Sequence, residues 1–421
     1  MFTGGYIITA LCVCAFFLIG ILRNKRRRFF MPSSMHFLTW FLTTYLLYSS
    51  TMGCMAHDEY KLHEYDIVAP FLMGIMIASF IGFKLCHLVV NIESPNLVPL
   101  FSLEYIDKLL SKHKWVMYVC FITGLLNLFF LISIIGFDNL GDYRGAALSA
   151  ERTGLFGLVS RIAGHATTLG TFYLFIFGYK QGLSGVNIKN FFFYLLMYSM
   201  NNIAIAGRGW ITMSLIPYLI GYFFAVRSSG KYRFSEIFDR NFRKIFCIMG
   251  ILVVFFAVFG SMRNDQNSTE EVHMADKLLY YTDGTGVTNI VMSMYPEGSY
   301  QLEYGACEFL SYFKPSPMWT KYSDAISHNL GLSVTVPSMM PFLYFDYGFC
   351  GGIIMWGLYC FIFECLVVKL LKQKSLLSLL LAFQIIRMFF QGPIGPIFSM
   401  AVPALLWLLI MYIFRRKIFA V

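Results

Sequence analysis

Charge is what this sequence has least of. Only 13% of its 421 residues are Asp, Glu, Lys or Arg, against 57% hydrophobic and 18% aromatic. Soluble chains carry roughly a quarter charged residues, so an ordinary soluble domain is excluded. A disulfide framework is missing as well. Of ten cysteines, Cys12, Cys14, Cys120, Cys247, Cys360 and Cys365 fall inside apolar blocks, where small core residues are expected. No internal repeat or low-complexity tract appears. Met1–Leu22 lacks the basic start and small-residue cleavage site of a secretory leader, and its charges follow the apolar run. It reads as a retained first span.

What is present is apolar sequence in lengths of about 17–25 residues, enough to cross a hydrocarbon core of roughly 30 Å as helix. Eleven such blocks run over 4–22, 35–56, 67–90, 115–136, 155–178, 191–206, 210–226, 245–260, 342–368, 375–391 and 397–413. The expected fold is all-α: a polytopic transmembrane helical bundle of about eleven spans. Spans one to eight occupy 1–260, an external loop or cap 261–341, and spans nine to eleven 342–421.

The net charge of +10 could suggest nucleic acid, but its distribution does not. Basic clusters at 23–28, 227–244, 369–374 and 415–417 each abut the end of an apolar block. With alternating spans they fall on one side. Segments on that side hold 22 basic and 5 acidic residues, and those on the other 8 basic and 16 acidic. This is the positive-inside pattern, with the N-terminus outside, the C-terminus cytoplasmic and no nucleic-acid partner.

Two connections are long. The stretch 91–114 sets Leu103, Ile106, Leu109 and Leu110 against Asp107, Lys108 and Lys112, a pattern suited to a helix lying in the inner interface. The 81 residues of 261–341 are expected outside. Ser268 and Glu271 there suit a capping box, with helical patterns near 270–281 and 301–313. Tyr280, Tyr281, Tyr295, Tyr300, Tyr304, Tyr312, Phe313, Trp319 and Tyr322 crowd this loop. They suit either sugar stacking or an aromatic belt on the membrane surface.

Ionisable residues inside spans cost about 2.5–3.5 kcal/mol each at the helix centre. Arg161 and His165 are four apart in span five, hence on one face, and both fall in its outer half. Arg387 lies near the outer end of span ten. Arg208 sits in the Gly207-Arg208-Gly209 turn between spans six and seven, and Arg263 just beyond the outer end of span eight. Arg144 and Arg152 are in the external loop 137–154. Guanidinium groups on the side that the charge rule disfavours suit either snorkelling to headgroups or shared binding of a phosphate-bearing ligand. Lys84 and Glu364 lie toward the cytoplasmic ends of their spans, where snorkelling or mutual pairing explains them. His165 suits either orienting Arg161 or a buried, neutral core position, and the second is the expected one. Gly284-Thr285-Gly286 reads as a turn. Asn267-Ser268-Thr269 fits a glycosylation acceptor, a signal that means little if the chain is bacterial. Cys54 and His57, without a second pair, do not make a metal site.

Two local stretches carry a resemblance. One is Asn202–Gly209 (NIAIAGRG). The other is Ser327–Gly352 (SHNLGLSVTVPSMMPFLYFDYGFCGG), with Leu-Tyr-x-Asp-Tyr-Gly-x-x-Gly running from Leu343 to Gly351. With the many-span architecture and the large external loop, these resemble the Wzy-type O-antigen (oligosaccharide repeat-unit) polymerases, relatives of the O-antigen ligases. The motifs cover a small part of the chain, and the paired Arg-x10-Gly motifs of some members are absent.

The resemblance implies a GT-C-like bundle in the bacterial inner membrane and a metal-independent glycosyltransferase without cofactor. A glycan on undecaprenyl diphosphate is transferred to a hydroxyl of a second lipid-linked repeat unit at the periplasmic face, and undecaprenyl diphosphate leaves. The implied partners are the lipid-linked donor and acceptor, membrane lipid and a chain-length regulator protein. Arg208, Arg263, Arg161, Arg387 and Arg144 would hold the diphosphate. His328, which resembles the His-Asn of the ligases, would serve as general base, with Asp346 second. An ordinary surface histidine and a simple cap or ion pair are the plain alternatives for these two. Other functions are an O-antigen ligase and a lipid-linked oligosaccharide flippase. A flippase would call for repeats and a charged path through both leaflets.

Overall fold

A computed structural model describes residues 65–90, 100–135, 153–204, 210–229, 339–391 and 401–419, with isolated positions between them. Spans one, two and eight and nearly all of the external loop lie outside the described residues. What is described is helical, with no strand. The helices are α1 (Tyr65–Val89), α2 (Leu103–Lys112), α3 (Trp115–Ile135), α4 (Gly154–Ser184), α5 (Ile188–Ala204), α6 (Trp210–Ser228), α7 (Met339–Lys372), α8 (Leu376–Gln391), α9 (Ala401–Ile413) and α10 (Arg415–Ile418).

Among the described residues, two helical stretches are long and apolar enough to cross a membrane: Leu103–Ile135, 33 residues, and Tyr347–Lys372, 26 residues. The α3 portion shows how. Its 21 residues contain no charge and extend about 31 Å at 1.5 Å per residue. Val116, Cys120, Gly124, Asn127 and Leu131 repeat at helical spacing and are buried. Ile122, Leu125, Leu126 and Phe129 on the other side are exposed.

The chain divides into two compact units. One comprises Met1–Pro95, Val272–Leu370 and Gln384–Val402; the other comprises Asn96–Glu271, Leu371–Phe383 and Pro403–Val421.

In the second unit α4 packs on α6 and α3 on α5. Gly178 and Gly182 of α4 lie on Tyr218 and Ala225 of α6, and Gly221 of α6 lies on Phe175 of α4. A Cβ at Gly221 would strike the Phe175 carbonyl oxygen, and one at Gly178 the Tyr218 carbonyl oxygen. Small residues four apart thus let two backbones touch, the usual device where lipid removes the hydrophobic drive between helices. Interior polar groups are tied across helices. Asn127 Nδ2 donates to Asn201 Oδ1 at 2.5 Å, Ser160 Oγ donates to Asn127 Oδ1 at 3.1 Å, and Tyr218 Oη donates to Gln181 Oε1 at 2.6 Å.

The apolar block predicted at 155–178 is exceeded by α4, which continues to Ser184 and stops at Gly185 with φ 100°. The added turns contain no Pro and carry residues with partners. Tyr179 Oη lies 3.1 Å from Ser228 Oγ, and Lys180 Nζ lies 2.6 Å from Asp107 Oδ1. Hydropathy ends before the helix does, because these polar residues are held by partners on other elements.

The predicted amphipathic run forms α2. Ser102 caps it by accepting from Tyr105 N at 3.3 Å. Ile106, Leu109 and Leu110 are buried, while Leu103 is exposed.

In the first unit α1 runs against α7, with Gly82 on the Gly357 carbonyl. Trp356 Nε1 donates to Ser79 Oγ at 2.6 Å, and Ser79 Oγ donates on to Ile75 O at 2.8 Å. The Phe71 ring lies edge-on to Tyr344, with centroids 5.9 Å apart. Helix α7 is interrupted at Gly348, where φ is 68° and ψ −172°, a conformation essentially confined to glycine.

Candidate functional site

The sequence points to a set of cationic and catalytic side chains. His328, Arg208, Arg263, Arg144 and Arg152 lie outside the described residues. Asp346 is on α7, two residues before the interruption at Gly348, with only its backbone described. Of the remaining three, Arg387 belongs to the first unit and Arg161 and His165 to the second.

In the first unit, Arg387 is on α8, a helix without any acidic residue. It is only 5% exposed. A guanidinium does not shed its proton on burial, so this position keeps a full charge in an apolar helix. One turn earlier, Gln384 is 1% exposed, and neither its amide nitrogen nor its amide oxygen has a hydrogen-bond partner. An unmatched buried amide costs about 1–3 kcal/mol, so its retention beside Arg387 asks for a ligand or a water. The amide supplies a donor and an acceptor three residues from the guanidinium.

Nearby in sequence within this unit, the interruption of α7 falls inside the Leu343–Gly351 stretch. Tyr347 Oη and Tyr359 Oη, on opposite sides of Gly348, are 2.9 Å apart and tie the two segments together. The glycine is required because a side chain does not tolerate that φ, and the helix restarts with backbone N–H groups outside the preceding ladder.

In the second unit, Arg161 and His165 share a face of α4, as their spacing requires, and both are exposed. His165 does not occupy the buried core position expected of it. The physical reason is that the interior face of α4 is taken by Ala163, Ala166 and Gly170, small residues that allow close packing. That leaves 161, 164, 165 and 168 on the outer side. Nothing lies within 4 Å of a Cβ built at Gly164, so the surface between Arg161 and His165 is open. The His165 ring meets Trp407 of α9 edge to face, with centroids 6.0 Å apart and planes at 76°. Trp407 Nε1 is buried and has no hydrogen-bond partner. A ligand oxygen at this open face would find a guanidinium and an imidazole.

Gln384 and Trp407 are the two residues that sequence reasoning passed over. Gln384 had a visible signal, an amide three residues before Arg387 in a mostly apolar block. Trp407 had none, since its pairing with His165 joins helices far apart in the chain.

Lys84 is exposed and Glu364 is 3% exposed. Cys120 and Cys360 are buried as expected of small core residues, whereas Cys247 is exposed. Among the described residues, no three His, Cys, Asp or Glu side chains come together in a way that could hold a metal ion. Comparison with known proteins finds no matching family model, no matching curated protein and no matching solved structure.

Proposed function

We propose that this chain is a polytopic membrane glycosyltransferase of the Wzy type. It joins undecaprenyl-diphosphate-linked oligosaccharide repeat units into a surface polysaccharide at the outer face of the bacterial inner membrane. The observation that carries the proposal is the enclosed Arg387 with the unmatched amide of Gln384 beside it. Arg387 stays a cation at any working pH, and a diphosphate leaving group carries the charge that such a cation suits. The reading draws further support from α3 and α7, whose apolar length and exposed apolar faces suit lipid. It also draws support from Gly348, which breaks α7 inside the stretch that resembles the polymerases.

In this reading the bundle has about eleven spans and a GT-C-like arrangement. Arg387, Arg161, Arg208, Arg263 and Arg144 neutralise the diphosphate as the glycosidic bond breaks. His328 takes the proton of the attacking hydroxyl, with Asp346 as the second candidate.

Deleting the gene and examining the surface glycan tests this reading. Glycan capped with a single repeat unit is the expected result. Loss of all attached glycan would mark a ligase instead, and lipid-linked repeat units accumulating at the cytoplasmic face would mark a flippase. Complementation with Arg387→Met should leave the single-unit phenotype in place while the protein reaches the membrane at wild-type level. Restored long chains would remove Arg387 from the mechanism.

A further inference from the structure

The basic segment near the end of the chain is held by three side chains more than 300 residues away in sequence. Lys112 Nζ donates to Lys417 O at 2.7 Å, and Tyr105 Oη donates to Phe419 O at 3.3 Å. Between them, His113 Nε2 lies 3.0 Å from Ile418 O. Three consecutive carbonyls, which α10 leaves without intrahelical partners, are thus taken by α2 and the residue that caps it.

Both partners of this clamp sit where apolar helices end. α2 leads through His113 and Lys114 into α3, and α10 follows directly on α9. The clamp therefore lies at one membrane interface whenever α3 and α9 lie in a bilayer. Its buried side is apolar, through Ile106, Leu109 and Leu110. Its outer side is cationic.

The local carboxylates are already engaged. Glu104 pairs with Lys108 at 3.0 Å, and Asp107 with Lys180 at 2.6 Å. Arg415, Arg416 and Lys417 are all exposed. A cleft of about 420 Å³ is lined by Tyr412, Ile413, Phe414 and these three cations, and the Arg415 guanidinium stands 4.7 Å over the Tyr412 ring. Tyr412, Ile413 and Phe414 are more than half exposed. Apolar wall and cationic rim are thus adjacent in one cleft.

Charge bias alone places such a cluster on the cytoplasmic side, but it does not require the backbone to be fixed by three distant donors. We propose that α2 and the 415–419 segment form one binding platform for anionic phospholipid. The cations would take the headgroup phosphate, and Tyr412, Ile413 and Phe414 the glycerol and upper acyl chain. Juxtamembrane Lys and Arg are known to attract anionic lipid in this way, and aromatic residues suit the same depth. The proposal needs only the membrane reading and not glycosyl transfer.

The test is native mass spectrometry of the full chain, purified in detergent and offered equal amounts of phosphatidylglycerol and phosphatidylcholine. The wild type should retain phosphatidylglycerol at least tenfold over phosphatidylcholine. Arg415→Gln, Arg416→Gln and Lys417→Gln together should reduce that preference at least fivefold. Tyr105→Phe with His113→Leu keeps every Lys and Arg, so it is independent of charge-driven misinsertion, and should reduce the preference two- to threefold. Equal retention of both lipids by the wild type would overturn the platform. So would an unchanged preference in either variant. Displacement of the lipid by millimolar glycerol phosphate would overturn the assignment to phospholipid and point to a free phosphate ester.

Discussion

The two units of this chain both bond interior polar groups across helices, as Trp356 and Ser79 do in the first, and differ in what they leave over. In the second, the α4–α6 seam is closed by glycines, and the interior amides and hydroxyls of Asn127, Asn201, Ser160, Tyr218 and Gln181 bond to one another. In the first, Arg387 is enclosed in an acid-free helix, Gln384 is buried with both amide atoms unmatched, and α7 is interrupted at a strained glycine. The second unit has smaller instances of unmatched groups, the Ser199 hydroxyl and the Trp407 indole nitrogen. Unmatched and strained groups collect where a fold gives up stability for function. On the proposed reading, the seam is the scaffold and the Arg387 region handles substrate.

The largest expected effect comes from breaking the seam. Gly221→Val places a branched side chain against the backbone of Phe175, which has no freedom to move aside. The cost should be about 3 kcal/mol, read as loss of monodisperse protein on size-exclusion chromatography in detergent. Wild-type behaviour would show that the helices separate easily and that the seam is not the scaffold.

Gly348→Ala should be the next largest, since alanine does not adopt a φ near 68° without strain. About 1–3 kcal/mol is expected, visible as a lowered thermal midpoint together with shortened glycan chains. An unchanged midpoint would mean that α7 runs straight through this position.

Gln384→Leu sharpens the comparison because stability and activity should move apart. Replacing an unmatched buried amide by an apolar group of similar size should raise stability by about 1 kcal/mol, while polymer yield falls. A drop in both would make Gln384 an ordinary structural residue. The smallest effect on stability belongs to Arg161→Ala on the open face of α4, within about 0.5 kcal/mol of wild type. A shift toward shorter chains at unchanged midpoint would tie that face to the lipid-linked substrate, and an unchanged length distribution would reduce Arg161 to a headgroup contact.

Helix positions were largely legible from the chain. The block at 115–136 became Trp115–Ile135 and the block at 375–391 became Leu376–Gln391, because apolar length and missing charge decide those ends. The end of α4 was not legible, because Tyr179, Lys180 and Gln181 are polar residues held by partners on other helices. Of the candidate site, the shared face of Arg161 and His165 followed from their spacing. That this face points outward did not, since burial depends on neighbouring helices. Arg387 and Gln384 were three residues apart on the page, but their enclosure was invisible there. The clamp on 417–419 could not have been read at all, since its partners differ by more than 300 positions.

The most direct measurement uses the purified protein in proteoliposomes with a synthetic undecaprenyl-diphosphate-linked repeat unit and no other enzyme. The account predicts a ladder of products longer than one unit, with undecaprenyl diphosphate released in step with each extension and Arg387→Met giving none. A single unextended species with the wild-type protein, while the lipid-linked unit is intact and accessible, would contradict it.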